Sequence, residues 1–135
     1  MRLIIAGSRK LTDAKVVIPA ISEAVDNIET MIEQSITEVV SGCANGIDSL
    51  GEEWARQAGI PVKQFPANWD QHGKAAGPIR NRQMAANADA LLAIWDGKSR
   101  GTANMIREAE ARGLPVMQIV IEFGAKSIPS EGNGR

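Results

Sequence analysis

Five short apolar runs alternate along the chain with stretches whose apolar residues recur every three or four positions, and few folds tolerate that alternation. Leu3-Ile4-Ile5-Ala6, Thr37-Glu38-Val39-Val40-Ser41, Pro61-Val62-Lys63-Gln64-Phe65-Pro66, Ala90-Leu91-Leu92-Ala93-Ile94-Trp95 and Pro115-Val116-Met117-Gln118-Ile119-Val120-Ile121 read as strands. The first is apolar throughout and ended by glycine, as expected of a strand covered on both faces. Thr12 and Asp13 look like a helix start, and Val16, Val17, Ala20, Ile21, Ala24, Ile28, Met31 and Ile32 predict an amphipathic helix from Ala14 to Glu33, with Pro19 tolerable only near its first turn. Ile47, Leu50, Trp54 and Ala58 line a second helix that stops at Gly59. Ala67 to Gly77 shows no period and predicts a surface loop. Helices follow from Pro78 to Asn87, with Pro78 at the first helical position, and from Thr102 to Arg112, with Gly113 as the stop. Parallel strands need right-handed crossovers, so the pattern predicts an α/β domain: a five-stranded, doubly wound, mostly parallel sheet with helices on both faces.

The chain's 135 residues fit one domain, over residues 1–123, and residues 124–135 predict a flexible C-terminal tail without apolar period. Fifteen Lys plus Arg balance sixteen Asp plus Glu, a formal net charge of −1, which is not the basic footprint of a duplex-binding protein. A small ligand is the simpler partner. Cys43 is the single cysteine and has no partner for an internal disulfide. The sequence starts Met1-Arg2-Leu3 with no signal-peptide pattern, and no apolar stretch reaches the roughly 20 residues that span a bilayer, so the expected location is cytoplasmic. His72 is the one histidine; with no Cys or His cluster, neither a metal site nor a cofactor is expected.

Four polar or glycine-rich segments lie after apolar runs or at helix starts, where an open parallel sheet has its ligand crevice. Gly7-Ser8-Arg9 combines a close-approach glycine, a hydroxyl and a guanidinium, a phosphate-binding set or a tight turn with a solvated arginine. In Ser41-Gly42-Cys43-Ala44-Asn45-Gly46-Ile47-Asp48, backbone amides from Gly42 through Asn45 to Gly46 can face a ligand. Asp48 either accepts hydroxyl protons from a ribose or complements the helix dipole. Cys43 has no base beside it and reads as a small buried thiol. Arg80 and Asn81 are expected in the first turn of their helix, where a cation calls for a compensating anion. Asp96-Gly97-Lys98-Ser99-Arg100-Gly101-Thr102 is the most specific segment, with unpaired N–H donors, a hydroxyl and two cations at a helix start; it is not a Walker A loop, because its lysine precedes the second glycine. Trp69, on the irregular loop, either stacks on a base or anchors the loop.

Ser41-Gly42-x-Ala44-x-Gly46-x-Asp48, Gly51-Glu52-x-Trp54-Ala55, Phe65-Pro66-Ala67-x-Trp69, Ala76-Gly77-Pro78-Ile79-Arg80-Asn81-x-x-Met84 and Trp95-Asp96-Gly97-x-Ser99-Arg100-Gly101-Thr102, in this order and spacing, resemble the YspA-type, YpsA-related branch of the SLOG superfamily over residues 2 to 120. The resemblance implies a Rossmann-like three-layer α/β/α nucleotide-binding fold with strand order 3-2-1-4-5, distantly similar to the LOG (lonely guy) phosphoribohydrolases and the DNA-processing protein DprA. LOG enzymes cleave base from a nucleoside monophosphate with an arginine, matched in context by Arg80, and a glutamate beyond a phosphate loop whose end matches Gly101-Thr102. That glutamate is replaced here by Asn104 or Met105, and Glu108 lies one helical turn farther, roughly 6 Å along the axis. If the chain is an enzyme, Arg80, Asp48 and Glu108 are the candidates, with Asp96 and Glu52 as other carboxylates.

The expectation is therefore a domain that binds or senses a nucleotide or nucleotide-derived ligand, a nucleoside phosphate or an ADP-ribose-like compound. Its ligand set is Gly7, Ser8, Arg9, Gly42, Asn45, Gly46, Asp48, Trp69, Arg80, Asn81, Asp96, Gly97, Ser99, Arg100, Gly101 and Thr102. The alternative is an N-glycosidase on a nucleoside phosphate. Single-stranded nucleic-acid binding is disfavoured by the charge balance and an aromatic content of 4%. The resemblance also suggests a homo-oligomer, with Trp54 as a contact or an intrachain packing residue.

Overall fold

A computed structural model describes residues 1–121, so the expected tail over 124–135 lies outside the described residues. Five strands form one sheet: β1 (Arg2–Gly7), β2 (Glu38–Ser41), β3 (Val62–Gln64), β4 (Ala90–Trp95) and β5 (Val116–Val120). Their order is β3-β2-β1-β4-β5, with every neighbouring pair parallel. The helices are α1 (Ala14–Ile32), α2 (Ile47–Gln57), α3 (Trp69–His72), α4 (Ala76–Ala86) and α5 (Arg100–Ala111). No described helix is long and apolar enough to cross a membrane.

Period-two alternation in the central strands divides the interior into two cores. Leu3 and Ile5 of β1 and Leu92 and Ile94 of β4 face α1 and α2, meeting Val17, Ile21, Ile28 and Ile47. Ile4, Ala6, Leu91, Ala93 and Trp95 face the other way onto Met84, Met105 and Ile106 of α4 and α5. Strand order runs outward from β1 in both directions, and the loops after β1 and β4 separate at that switch point, opening a crevice.

Three local expectations need correction. The helix α1 starts at Ala14 as expected, which puts Pro19 at its sixth residue, so proline is tolerated here beyond the first turn. Its ring removes the bond to the Lys15 carbonyl, and Lys15 and Pro19 are both exposed, so the loss falls on the solvent side of the helix. The segment 67–77 is not irregular. Asn68 caps α3 by accepting the Gln71 N–H at 3.0 Å, and a one-turn 3₁₀ segment leads on into α4. Hence α4 starts at Ala76, and Pro78 is its third residue, where a missing N–H still costs nothing because the first four have no intrahelical acceptor. Arg80 and Asn81 are consequently the fifth and sixth residues, beyond the first turn, and the helix-dipole argument for an anion beside them does not hold.

Candidate functional site

The crevice at the carboxyl ends of β1 and β4 is a cleft of about 600 Å³. Its floor is the end of β1. Gly7 is paired with Ile94, and a Cβ on Gly7 would fall on the Ile94 carbonyl, so glycine lets the two strands meet there. Ser8 is only 3% exposed and works as a junction. Its Oγ accepts the Asp96 N–H at 3.2 Å, its N–H donates to Ile94, and its carbonyl accepts the Leu11 and Ile47 N–H groups.

The β4–α5 loop forms one wall. Asp96 Oδ1 accepts the N–H groups of Lys98 and Ser99 at 2.8 and 3.0 Å, and these bonds hold its carboxyl below the usual carboxylate range. Asp96 therefore shapes the loop that delivers Ser99 to the N-cap of α5. Ser99 makes no side-chain cap, no acid lies in the first turn, and the N–H groups of Arg100, Gly101 and Thr102 have no intrahelical acceptor. All three residues line the cleft. Thr102, 5% exposed, points its Oγ1 to Ser99 Oγ at 3.3 Å. A helix N-terminus with its donors open and a hydroxyl beside them has the chemistry to receive an anion.

The opposite wall comes from α4 and the β2–α2 loop. Arg80 donates through Nη1 to the Gly42 carbonyl and through Nε to Asn81 Oδ1 at 3.0 Å. Asn81 in turn donates to Asn104 Oδ1 at 2.9 Å and the Gly101 carbonyl at 3.3 Å, tying α4 to the start of α5. Burial lowers the pKa of Arg80, opposed by the charge of Asp48. Asp48, the second residue of α2, is 5% exposed, and burial pushes its carboxyl up to about 6 against the pull of the Ala44 N–H, the Arg80 charge and the Gly7 backbone. No ion pair joins Asp48 to Arg80 among the described residues. Gly42 keeps them apart yet close: a Cβ there would lie 2.7 Å from Arg80 Nη1 and 2.9 Å from Asp48 Oδ2.

Most of the residues expected from sequence surround this one space: Gly7, Ser8, Arg9, Asp48, Trp69 and Arg80 on the β1 and α4 sides, and Asn81, Asp96, Ser99, Arg100, Gly101 and Thr102 toward α5. Others do not line it. Gly42 acts through its carbonyl and its missing side chain. Gly46 has φ +73° and a Cβ there would collide with the Ser8 and Arg9 carbonyls, so its role is the junction of two loops. Gly97 has φ +81° and serves the turn, while Asn45 is exposed away from the cleft. Glu108 lies outside the cleft, 3.7 Å from Arg82, because one helical turn carries it past the α5 N-terminus. Asn104 lines the cleft instead. Glu52 is held by Ser41 at 2.5 Å and Gln64 at 3.0 Å.

Cys43 is exposed rather than buried, at φ +66°. Residual burial and the Glu52 charge push its thiol up, the opposite of an activated nucleophile. Trp54 is partly buried and packs against the α1–α2 core. Sequence reasoning missed Lys10 and Lys74 in the cleft, and counted Lys98 only as a cation of the β4–α5 segment. Lys10 is the immediate neighbour of Arg9, and the Asn68-x-x-Gln71 cap would have signalled the helix that brings Trp69 and Lys74 close. Six cations, Arg9, Lys10, Lys74, Arg80, Lys98 and Arg100, thus face two carboxylates, Asp48 and Asp96, in a chain of net charge −1. No group of three metal-ligating side chains occurs among the described residues.

Comparison with known proteins agrees with this architecture. The chain is 37% identical over 131 residues to the Gene 61 protein of Mycobacterium phage D29, an alignment covering 93% of this chain and 98% of the phage protein. Its fold is similar to that of DNA processing protein A (DprA) from Streptococcus pneumoniae, with TM-score 0.63 and 22% identity over 91% of this chain. The match takes in 51% of the DprA chain, so the present chain spans about half of that length. The YspA, cpYpsA-related SLOG family matches residues 1–72, more than half of the sequence, and the chain belongs to that family.

Proposed function

We propose that the cleft binds or senses a nucleotide or nucleotide-derived ligand, with a phosphate seated on the N-terminus of α5. The observation that carries this reading is the set of three open N–H donors at Arg100, Gly101 and Thr102, with no acid in the first turn, facing a cleft rich in cations. Gly101 adds to it. A Cβ there would meet nothing within 4 Å, so the fold gains nothing from glycine at a helical position where alanine is favoured. Close approach of a ligand to the backbone accounts for it. Arg80 and Asn81 then face the sugar, and Trp69, 49% exposed at the mouth, offers a stacking surface for the base.

Isothermal titration with AMP, GMP, CMP, UMP, NAD and ADP-ribose tests the reading. At least one ligand is expected to bind the wild type, and Thr102→Ala and Arg80→Ala to weaken it by about 10- to 100-fold, the worth of one hydrogen bond to a charged group. Unchanged affinity for every ligand in both variants overturns it.

Hydrolysis of the glycosidic bond, the second reading, rests on Asp48 alone. Asp96 is committed to its loop and Glu108 to Arg82, whereas the raised pKa of Asp48 lies in the range that suits proton transfer. Release of free base by the wild type and its loss in Asp48→Asn would move this reading ahead. Single-stranded nucleic acid is a third possibility. The fold similarity to a DNA processing protein raises it, but Trp69 is the lone exposed aromatic ring among the described residues, a poor platform for successive bases.

A further inference from the structure

A carboxylate inside a cleft built for an anion calls for an explanation, because it repels the phosphate that the other groups attract. Asp48 is 5% exposed, lines the cleft and forms no ion pair among the described residues. Its two oxygens offer about four acceptor positions. The Ala44 N–H takes one at 3.2 Å, and the Gly7 backbone faces the carboxyl as a second donor. The remaining capacity is unfilled by the protein. Arg80, the nearest guanidinium, spends its Nη1 and Nε on Gly42 and Asn81 instead. A buried acceptor left short of donors is costly unless a ligand supplies them.

The dipole of α2 does not account for the residue. An acid in a first turn is favourable because it stays charged and solvated, but here desolvation outweighs the helix N-terminus and the neighbouring positive charge. Nor is Asp48 an N-cap, since Gly46 holds that position and Asp48 bonds backward to the loop at Ala44. The wall opposite carries the anion seat of α5, so one cleft presents donors on one side and an acceptor on the other.

We infer that Asp48 reads a pair of hydroxyl donors on the ligand, the 2′- and 3′-hydroxyls of a ribose, so that the cleft selects ribonucleotides over 2′-deoxyribonucleotides. The inference rests on the phosphate-binding reading above. A ribose diol matches a carboxylate with two free acceptor positions, and a deoxyribose supplies one donor fewer and leaves an acceptor buried and unpaired. Gly42 is the residue that permits the fit, since any side chain there would occupy the space between Arg80 and Asp48.

Proton linkage gives the selection a signature. Diol donors favour the charged carboxylate, so ribose binding draws a proton off Asp48, and the ribose-over-deoxyribose ratio grows as pH rises through about 6. The groups that face the carboxyl are Arg80 from α4, Glu52 from its own helix and the Cys43 thiol of the β2–α2 loop; the end of β1 contributes only the Gly7 backbone. A monophosphate also titrates near pH 6, but equally in both sugars, so the ratio isolates Asp48.

The experiment is a paired titration of wild type and Asp48→Asn with AMP, GMP, CMP and UMP and the 2′-deoxy counterpart of each base (thymidylate for UMP), at pH 5 and pH 7.5. In the wild type, the ribonucleotide that binds is expected to exceed its deoxy form by on the order of 10-fold at pH 7.5 and by much less at pH 5. Asp48→Asn is expected to bind both sugars with a ratio near one at either pH. Equal binding of ribo and deoxy forms by the wild type overturns the inference and leaves the phosphate seat standing, as does an undiminished ratio in Asp48→Asn. Absence of binding by every nucleotide at both pH values overturns the inference, and overturns the phosphate reading with it when NAD and ADP-ribose also fail to bind.

Discussion

Asp48 and Gly101 bear on the account because neither is the residue that stability alone would choose. Burial raises the folded-state pKa of Asp48 from 3.8 to about 6. Its contribution is therefore fully present below about pH 4, where both states are protonated, and is lost as pH rises from about 4 through 6. Asp48→Asn keeps an acceptor for the Ala44 N–H without the charge. Above pH 6 the variant is expected to be more stable than wild type by about 1–3 kcal/mol, the difference vanishing below pH 4. Urea denaturation at pH 4 and pH 7.5 measures this, and equal or lower stability of the variant at pH 7.5 would make Asp48 a structural group. Gly101→Ala is expected to hold or raise stability by up to about 1 kcal/mol while weakening nucleotide binding. Gly46→Ala is the opposite case: its φ of +73° and the Ser8 carbonyl make a loss of about 2–4 kcal/mol the expected result of the same denaturation experiment. Sequence alone marked all three residues, since a glycine or an acid at a strand-to-helix junction is visible as such. It did not separate their roles, because the collision at Gly46 involves Ser8 and Arg9, distant in sequence, and the open space at Gly101 is a property of the assembled cleft.

Among the elements, the strands and long helices were legible because their periods are set by burial. The two-core alternation of β1 and β4 follows from unbroken apolar runs, and α1 from a stripe eight residues rich. The helix α3 was not legible: four residues give no period, and none of them is buried, so only its cap distinguishes it from a loop. Missing it displaced the start of α4 and put Arg80 in a first turn that it does not occupy. Because no residue of α3 is fully buried, Asn68→Ala is expected to leave the thermal midpoint of the domain within a degree or two. Loosening Trp69 and Lys74 at the cleft mouth is expected to weaken ligand binding about two- to tenfold. Calorimetry and titration on the same sample separate the two effects, and a large drop in midpoint would show that α3 supports the core.

The whole molecule carries a formal charge of −1, yet gathers six cations around one opening. Composition averaged over the chain concealed this. Arg9, Lys10, Lys74, Arg80, Lys98 and Arg100 come from three separate segments that meet only because β1 and β4 are adjacent in the sheet. Alternation of elements predicted the doubly wound sheet and a crevice at the carboxyl ends of its strands, whereas the strand order followed from the family resemblance, because alternation does not say which strand lies beside which. Such a focused field predicts that anion affinity falls when salt is raised from 50 to 500 mM, whereas affinity held by stacking alone would not. The claim that unites these levels is that backbone donors of α5 hold the anion. Amide chemical shifts of isotopically labelled protein, recorded by NMR during titration with the nucleotide that binds, read those donors one by one. The N–H resonances of Arg100, Gly101 and Thr102 are expected to move farthest. Saturable binding that leaves those three resonances in place, while others shift, would contradict the account.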